Sequence, residues 1–249
     1  MKLQGKVAIV SGGARDIGKA VSLKLAAEGA KVVVNYFSNA QTAEETLVEI
    51  KAAGGEAILA KGDMTKQADV ASVIAAAQEA YGKTIDILVN VAGGLVERKT
   101  IDEMDEEFFN KVIALNLNST FLLTKAVVPH MDGGAIVNLA SQAGRDGGGP
   151  GASAYATSKG AVMTFTRAMA KELGPKNIRV NSLCPGMIST TFHDTFTKDA
   201  VREHVANATP LKREGKAPEV ADAVAYLASD EASFITGTNI DINGGLFFS

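Results

Sequence analysis

Apolar positions along this chain fall into short β-branched runs that alternate with longer amphipathic stretches. The runs Lys6–Val10, Lys31–Tyr36, Glu56–Ala60, Thr84–Asn90, Ala135–Ala140, Asn177–Leu183 and Gly237–Asp241 are predicted strands, being short and bounded by Gly, Pro or Asn. The stretches between them are predicted helices. One follows Ser11–Gly18 and runs to Glu28, closed by Gly29. Ala40–Ala53 ends at Gly54-Gly55, and another starts at Gln67. Met104–His130 reads as a single long helix stopped by Pro129 and the turn at 131–134. The helix carrying Tyr155 runs to Leu173 and stops at Gly174-Pro175, and Pro218–Ser229 is the last. This alternation predicts an α/β fold, a doubly wound and mostly parallel sheet with helices on both faces, as a single domain over 1–249.

Two stretches lack a clear period. Gln142–Ala152 is glycine-rich, contains Arg145 and Asp146, and is expected to be a flexible substrate loop. Thr191–Arg213 mixes Phe192, His193, Phe196 and His204 with polar residues.

Composition narrows the function. A chain of 249 residues that is 46% hydrophobic can bury a full core. A net charge of −3 with no basic run argues against a nucleic-acid partner. The start of the chain enters a strand at once, and no apolar run is expected to cross a membrane. The lone Cys184 cannot form an internal disulfide, suits a cytoplasmic location, and has no base placed to activate it. His130, His193 and His204 do not sit at metal-ligand spacing, so no metal is expected.

The candidate chemistry centres on Tyr155-Ala-Thr-Ser-Lys159. Residues four apart on a helix share a face, which stacks a phenol against an ammonium. A charge ~5 Å away at an effective dielectric of ~20 is worth roughly 3 kcal/mol, about 2 pKa units on a tyrosine that ordinarily titrates near 10. Burial acts in the opposite direction. Such a tyrosine can exchange a proton with a carbonyl or alcohol. Upstream, the strand ending in Ser141 offers a hydroxyl, and Asn116 lies within the Met104–His130 stretch. The turn Ser11-Gly-Gly-Ala-Arg-Asp-Ile-Gly18 follows a strand and opens a helix, an arrangement that directs backbone N–H groups at a pyrophosphate. The second strand ends in Asn35-Tyr36-Phe37-Ser38-Asn39 with no acidic residue to take a ribose 2′-hydroxyl, while Arg15 offers a forked contact to a 2′-phosphate. NADP(H) is therefore expected in preference to NAD(H), with Tyr36 and Ser38 beside it.

Together these parts resemble the short-chain dehydrogenase/reductase family over the whole chain, nearest to its 3-oxoacyl-[acyl-carrier-protein] reductase-like members. The resemblance implies a seven-stranded sheet and an oxidoreductase that transfers hydride between the nicotinamide and a carbonyl/alcohol pair. It implies Tyr155 as acid or base, Lys159 lowering its pKa and holding the ribose, Ser141 binding the substrate oxygen and Asn116 supporting a proton relay. It further implies cofactor contacts from Ser11, Gly12, Ile17 and Gly18, from Asp63, and from Asn90, Ala92 and Gly93. Tyr155 and Lys159 complete that contact set together with Pro185, Gly186, Ile188 and Thr190. It makes about 188–213 a substrate lid. Asp16 stands where the family has a glycine and Val91 where it has an asparagine. An Asp16 carboxylate ~6 Å from a phosphate would cost roughly 3 kcal/mol. Alternatively it turns back onto the helix as an N-cap, or pairs with Lys19 or Arg15.

Three segments, Leu95–Lys99, Gln142–Ala152 and the lid, bring Arg98, Lys99, Arg145 and His193 towards Ser141 and Tyr155, with Arg145 and His193 expected to touch substrate. They predict a small polar carbonyl substrate, sugar- or keto-acid-derived, ahead of an acyl-carrier-bound one. The turn His130-Met-Asp-Gly-Gly134 lacks the basic residues that would dock a carrier protein. A non-catalytic dinucleotide-binding protein is the remaining alternative. A homotetramer is expected, one interface using the Met104–His130 and Tyr155–Leu173 helices and the other the C-terminal strand.

Overall fold

The computed structural model describes all residues, Met1–Ser249. In chain order, β1 (Val7–Ser11), α1 (Asp16–Ala27), β2 (Lys31–Tyr36), α2 (Ala40–Ala52), β3 (Glu56–Lys61), α3 (Gln67–Tyr81) and β4 (Ile87–Asn90) form the first half. Then come α4 (Glu106–Ile113), α5 (Ser119–Val127), β5 (Gly134–Leu139), α6 (Ala143–Asp146), α7 (Ser153–Leu173) and β6 (Ile178–Pro185). The chain closes with β7 (Ile188–Ser189), α8 (Thr191–Phe196), α9 (Asp199–Ala208), β8 (Gly215–Lys216), α10 (Ala217–Ala228) and β9 (Asn239–Ile242).

Seven strands pair in the order β3-β2-β1-β4-β5-β6-β9, and every pairing is parallel. The period of two along each strand explains the layering. In β1, Ala8 and Val10 face α1, α2 and α10, whereas Ile9 faces α3, α5 and α7. Fully buried side chains such as Ile9, Leu25, Ile87, Leu123 and Leu227 are worth about 1.5–3 kcal/mol each. Local signals start the helices: Asn39 accepts from the Thr42 N–H at α2, and Asp105 from that of Phe108 at α4. Gly29, at φ +92°, lets the chain leave α1 for β2.

Three expectations need correction. The Met104–His130 stretch is not one regular helix, because a π-turn at Ala114–Asn118 separates α4 from α5. Glu106–His130 is also long and apolar enough to cross a membrane by length and hydropathy, contrary to the sequence reading. Its buried residues Val112, Leu123 and Val127 pack within this fold instead. Third, the unpatterned 191–213 stretch holds two helices. α8 is only six residues long, too short for a period to register, and α9 is amphipathic yet buries none of its residues.

Candidate active site

The candidate residues gather at the carboxyl ends of β1, β4, β5 and β6, where the strand order reverses between β1 and β4. Ligands bind at such a switch point in open parallel sheets.

The π-turn places Asn116, fully buried, against the loop after β4. Its amide donates to the carbonyls of Gly94 and Val112 and accepts from the Gly94 N–H, each at 2.9 Å. A Cβ on Gly93 would lie 2.6 Å from Asn116 Oδ1 and 3.2 Å from Lys159 Nζ, so only glycine lets these three meet. Lys159 is buried, donates to the Leu139 carbonyl at 2.6 Å, and lies 5.8 Å from the centroid of the Tyr155 ring. Ser141, just past β5, accepts from the Ala143 N–H, and its hydroxyl lies close enough to Tyr155 to act on the phenol. Tyr155 itself packs against the cluster of Phe108, Val112 and Ala154, as do Val96 and Met104. Val96, a β-branched residue at φ +68°, is a strained position on the same cluster.

Burial dominates the protonation of the pair. It raises the Tyr155 phenol above its ordinary value, with the Ser141 hydrogen bond pulling the other way. It also lowers Lys159 to about 8. The expected lowering of Tyr155 by Lys159 is not found: desolvation sets the direction, and Ser141 is what opposes it.

The glycine turn is built for a close neighbour. A Cβ on Gly18 would fall 2.0 Å from the Gly12 carbonyl oxygen, and one on Gly12 would fall 3.1 Å from Ala92 Cα. Ser11 accepts from the Val91 and Ala92 N–H groups, joining the ends of β1 and β4. Asn35 was missed from sequence: it accepts from the Gly12 N–H and donates to the carbonyls of Ala60 and Gly62, fixing the turn to β3. A buried Asn at a strand end was its only signal. Ile17 is half-buried at the start of α1. Arg15 projects with its side chain 71% exposed, and Tyr36 and Ser38 border the same edge. Asp63 accepts from the N–H and hydroxyl of Thr65, so it closes a local turn rather than capping α3. Buried Asn90 donates to Asn138, while its Oδ1 has no partner within the chain. That orphaned acceptor beside the backbone of Ala92 and Gly93 fits a dinucleotide's ribose hydroxyls. At the far end, Pro185 and Ile188 are buried, Gly186 approaches Asn243 and Gln142, and Thr190 donates to the Ile188 carbonyl. Gln142 Oε1, also unpartnered, is a second residue the sequence reading passed over.

The cationic residues are placed otherwise than expected. Arg145 does not reach Ser141 or Tyr155: its Nε meets Asp241 Oδ1 at 2.7 Å, and a second nitrogen bonds the Asn239 carbonyl, at β9. Its loop is ordered too, forming α6 with Gly144 packed against the backbone of Lys159 and Gly160. Arg98 donates to the carbonyls of Phe196 and Pro150, and Lys99 lies over the Phe108 ring. Burial and the Arg202 charge lower the pKa of His193, whose ring contacts Thr197 and Phe192. Phe192 faces Tyr155, with ring centroids 5.8 Å apart. Cys184 is buried and its thiol pKa raised, as a packing residue requires.

This geometry coincides with strong similarity to known proteins. A family model described as Enoyl-(Acyl carrier protein) reductase matches residues 12–247. The chain is 37% identical over 245 residues to "Uncharacterized oxidoreductase YgfF" of Escherichia coli, covering 96% of this chain and 99% of that one. It is 36% identical over 245 residues to the 3-oxoacyl-[acyl-carrier-protein] reductase FabG of Staphylococcus epidermidis, covering 97% and 99%. A solved short-chain dehydrogenase/reductase from Serratia marcescens superposes with a TM-score of 0.93 at 35% identity, over 99% of both chains. The chain belongs to the short-chain dehydrogenase/reductase family of oxidoreductases, which bind a nicotinamide dinucleotide and act on small molecules.

Proposed function

We propose that this protein is an NADP(H)-dependent reductase that converts a small ketone or aldehyde to an alcohol. The observation that carries the reading is the meeting of Asn116 and Lys159 over Gly93, with the Lys159 ammonium 5.8 Å from the centroid of the Tyr155 ring and Ser141 beside that phenol. NADP(H), when bound, supplies the hydride. Ser141 holds the carbonyl oxygen, and the Tyr155 phenol, neutral at neutral pH, gives it a proton. Lys159, with a pKa near 8, is mostly charged at pH 7 and offsets negative charge developing on the phenol. Asn116 holds the Gly93–Gly94 backbone in place beside it. Arg15 and the absence of an acid after β2 support the 2′-phosphorylated cofactor.

The substrate we favour is small and uncharged. Arg98, Lys99 and Arg145 are committed elsewhere, and Phe192 gives the site an aromatic wall. The polar side that remains is Ser141, Gln142 and a neutral His193. A 3-oxoacyl-[acyl-carrier-protein] substrate is the second reading, favoured by the similarity to the S. epidermidis enzyme. We also read the protein as a cytoplasmic homotetramer. Exposed Phe121, which meets Phe165 edge-on across α5 and α7, and Phe234 and Phe248 near the C-terminus support the two interfaces.

The test is NADPH loss with a panel of carbonyl compounds, run on the wild type and on Tyr155→Phe. Turnover of small neutral ketones or aldehydes, abolished in Tyr155→Phe with NADPH binding retained, supports the reading. Wild-type turnover in that variant contradicts it. Activity confined to 3-oxoacyl thioesters would establish the second.

A further inference from the structure

Asp16 occupies a backbone position suited to glycine, at φ +50°. Aspartate tolerates this region better than most residues, yet glycine would adopt it without strain. Locally the carboxylate has only a loose ion pair with Arg15, Nε to Oδ2 at 4.0 Å, and no hydrogen bond. The N-cap of α1 is Arg15, which makes no side-chain capping bond, and Lys19 is turned to Glu49. Instead Asp16 reaches across 175 positions of sequence to the first residue of α8. Thr191 donates its N–H to Asp16 Oδ1 at 3.0 Å and its hydroxyl to Oδ2 at 2.6 Å.

The other end of α8 is also held. The Phe196 carbonyl accepts from Arg98 Nε at 3.0 Å, and the same guanidinium bonds the Pro150 carbonyl. Between these two fastenings lies Phe192, the residue that faces Tyr155. Arg202 braces the segment behind it through Asp194 and Glu214.

We propose that Asp16 is a positioning residue, fastening the lid to the glycine turn and so setting where Phe192 stands over Tyr155. The side chain that departs from the family's glycine does not cap the helix. It joins the turn expected to hold the cofactor's phosphates to the segment expected to cover the substrate. This deepens the proposed function, resting on it for the meaning of turn and lid, whereas its principal test uses cofactor-free protein.

That test is hydrogen exchange of the amides from Ile188 to Lys198 in wild type, Asp16→Gly, Asp16→Asn, Thr191→Val and the Asp16→Gly/Thr191→Val double variant. In Asp16→Gly, which removes both acceptors and relieves the backbone, exchange across α8 should quicken about 5- to 10-fold. Asp16→Asn, which keeps an acceptor for the Thr191 N–H, should lie between. The double variant should exchange no faster than Asp16→Gly, since Thr191 has lost its partner in either case. With substrate, KM for the carbonyl should rise more than kcat falls. Unchanged lid exchange in Asp16→Gly, or effects of the two substitutions that simply add, would overturn the proposal. Should Asp16→Gly not fold, Thr191→Val against Thr191→Ser, which keeps both donors, makes the same comparison. Exchange decides the matter even if no carbonyl compound is reduced.

Discussion

The surroundings of Tyr155 and those of Phe192 are built by different means, although the two rings touch. Lys159, Asn116 and Gly93 are packed together at the ends of β4 and β5, with Lys159 and Asn116 buried and bonded to backbone on rigid elements. Phe192 sits on a six-residue helix with no buried residue, held at its ends by Asp16 and Arg98 through partly exposed polar contacts. Buried, over-determined groups keep one geometry, whereas a segment with few buried contacts opens at low cost. Under the proposed function, proton transfer belongs to the first region and substrate choice to the second, and each should be open to perturbation without the other.

After loss of the Tyr155 hydroxyl, the largest effect should follow removal of the charge in the rigid region. Lys159→Ala should lower kcat by about 10²- to 10⁴-fold and weaken NADPH binding as well. In the wild type the sign of the pH effect follows from burial. Lys159 keeps its proton below about 8 and loses it above, and the Tyr155 phenol, raised by burial, stays protonated longer. Carbonyl reduction should therefore hold level below about pH 8 and fall as pH rises further. A profile that falls towards low pH instead would mean that a deprotonated group drives reduction. The same depressed pKa means that the unfolded chain binds more protons between about 8 and 10.5, so the Lys159 contribution to stability improves as pH rises through that window.

A smaller, cofactor-specific effect is expected at Arg15. Loss of a charge-assisted forked contact is worth roughly 1.5–3 kcal/mol, so Arg15→Ala should weaken NADPH binding about 10- to 150-fold and leave NADH nearly unchanged. Titration by cofactor fluorescence would check this, and equal losses for both cofactors would give Arg15 another role. The smallest effect belongs to the lid. An aromatic pair contributes about 0.5–1.5 kcal/mol beyond its buried area, so Phe192→Ala should raise KM for the carbonyl roughly 2- to 12-fold with kcat less affected. A kcat loss matching that of Lys159→Ala would erase the distinction between the two regions.

The same contrast governs what could be read from sequence. Because period and end signals are local, the strands and the Tyr155 helix appear within a residue or two of their predicted limits, except β4, which starts at Ile87 and not at Thr84. The i, i+4 spacing of Tyr155 and Lys159 is local as well. The π-turn at Asn116 was not legible, since it arises from that amide bonding a loop twenty-two residues away. Arg145 looked free because its partner, Asp241, lies 96 positions on. Asp16 looked like a cap or a defect because Thr191 is still more distant. Long-range polar pairing leaves no period, and the substrate-facing segments are built largely from it.

In the proposed reaction hydride reaches a carbonyl carbon. NADPH carrying deuterium in the transferable position at C4 should be supplied with the best carbonyl compound from the panel and the product examined by NMR. One deuterium is expected on the carbinol carbon, the carbon that bears the new hydroxyl. Deuterium on a carbon of a reduced C=C bond, with the carbonyl intact, would contradict the proposed reaction and make the protein an enoyl-type reductase.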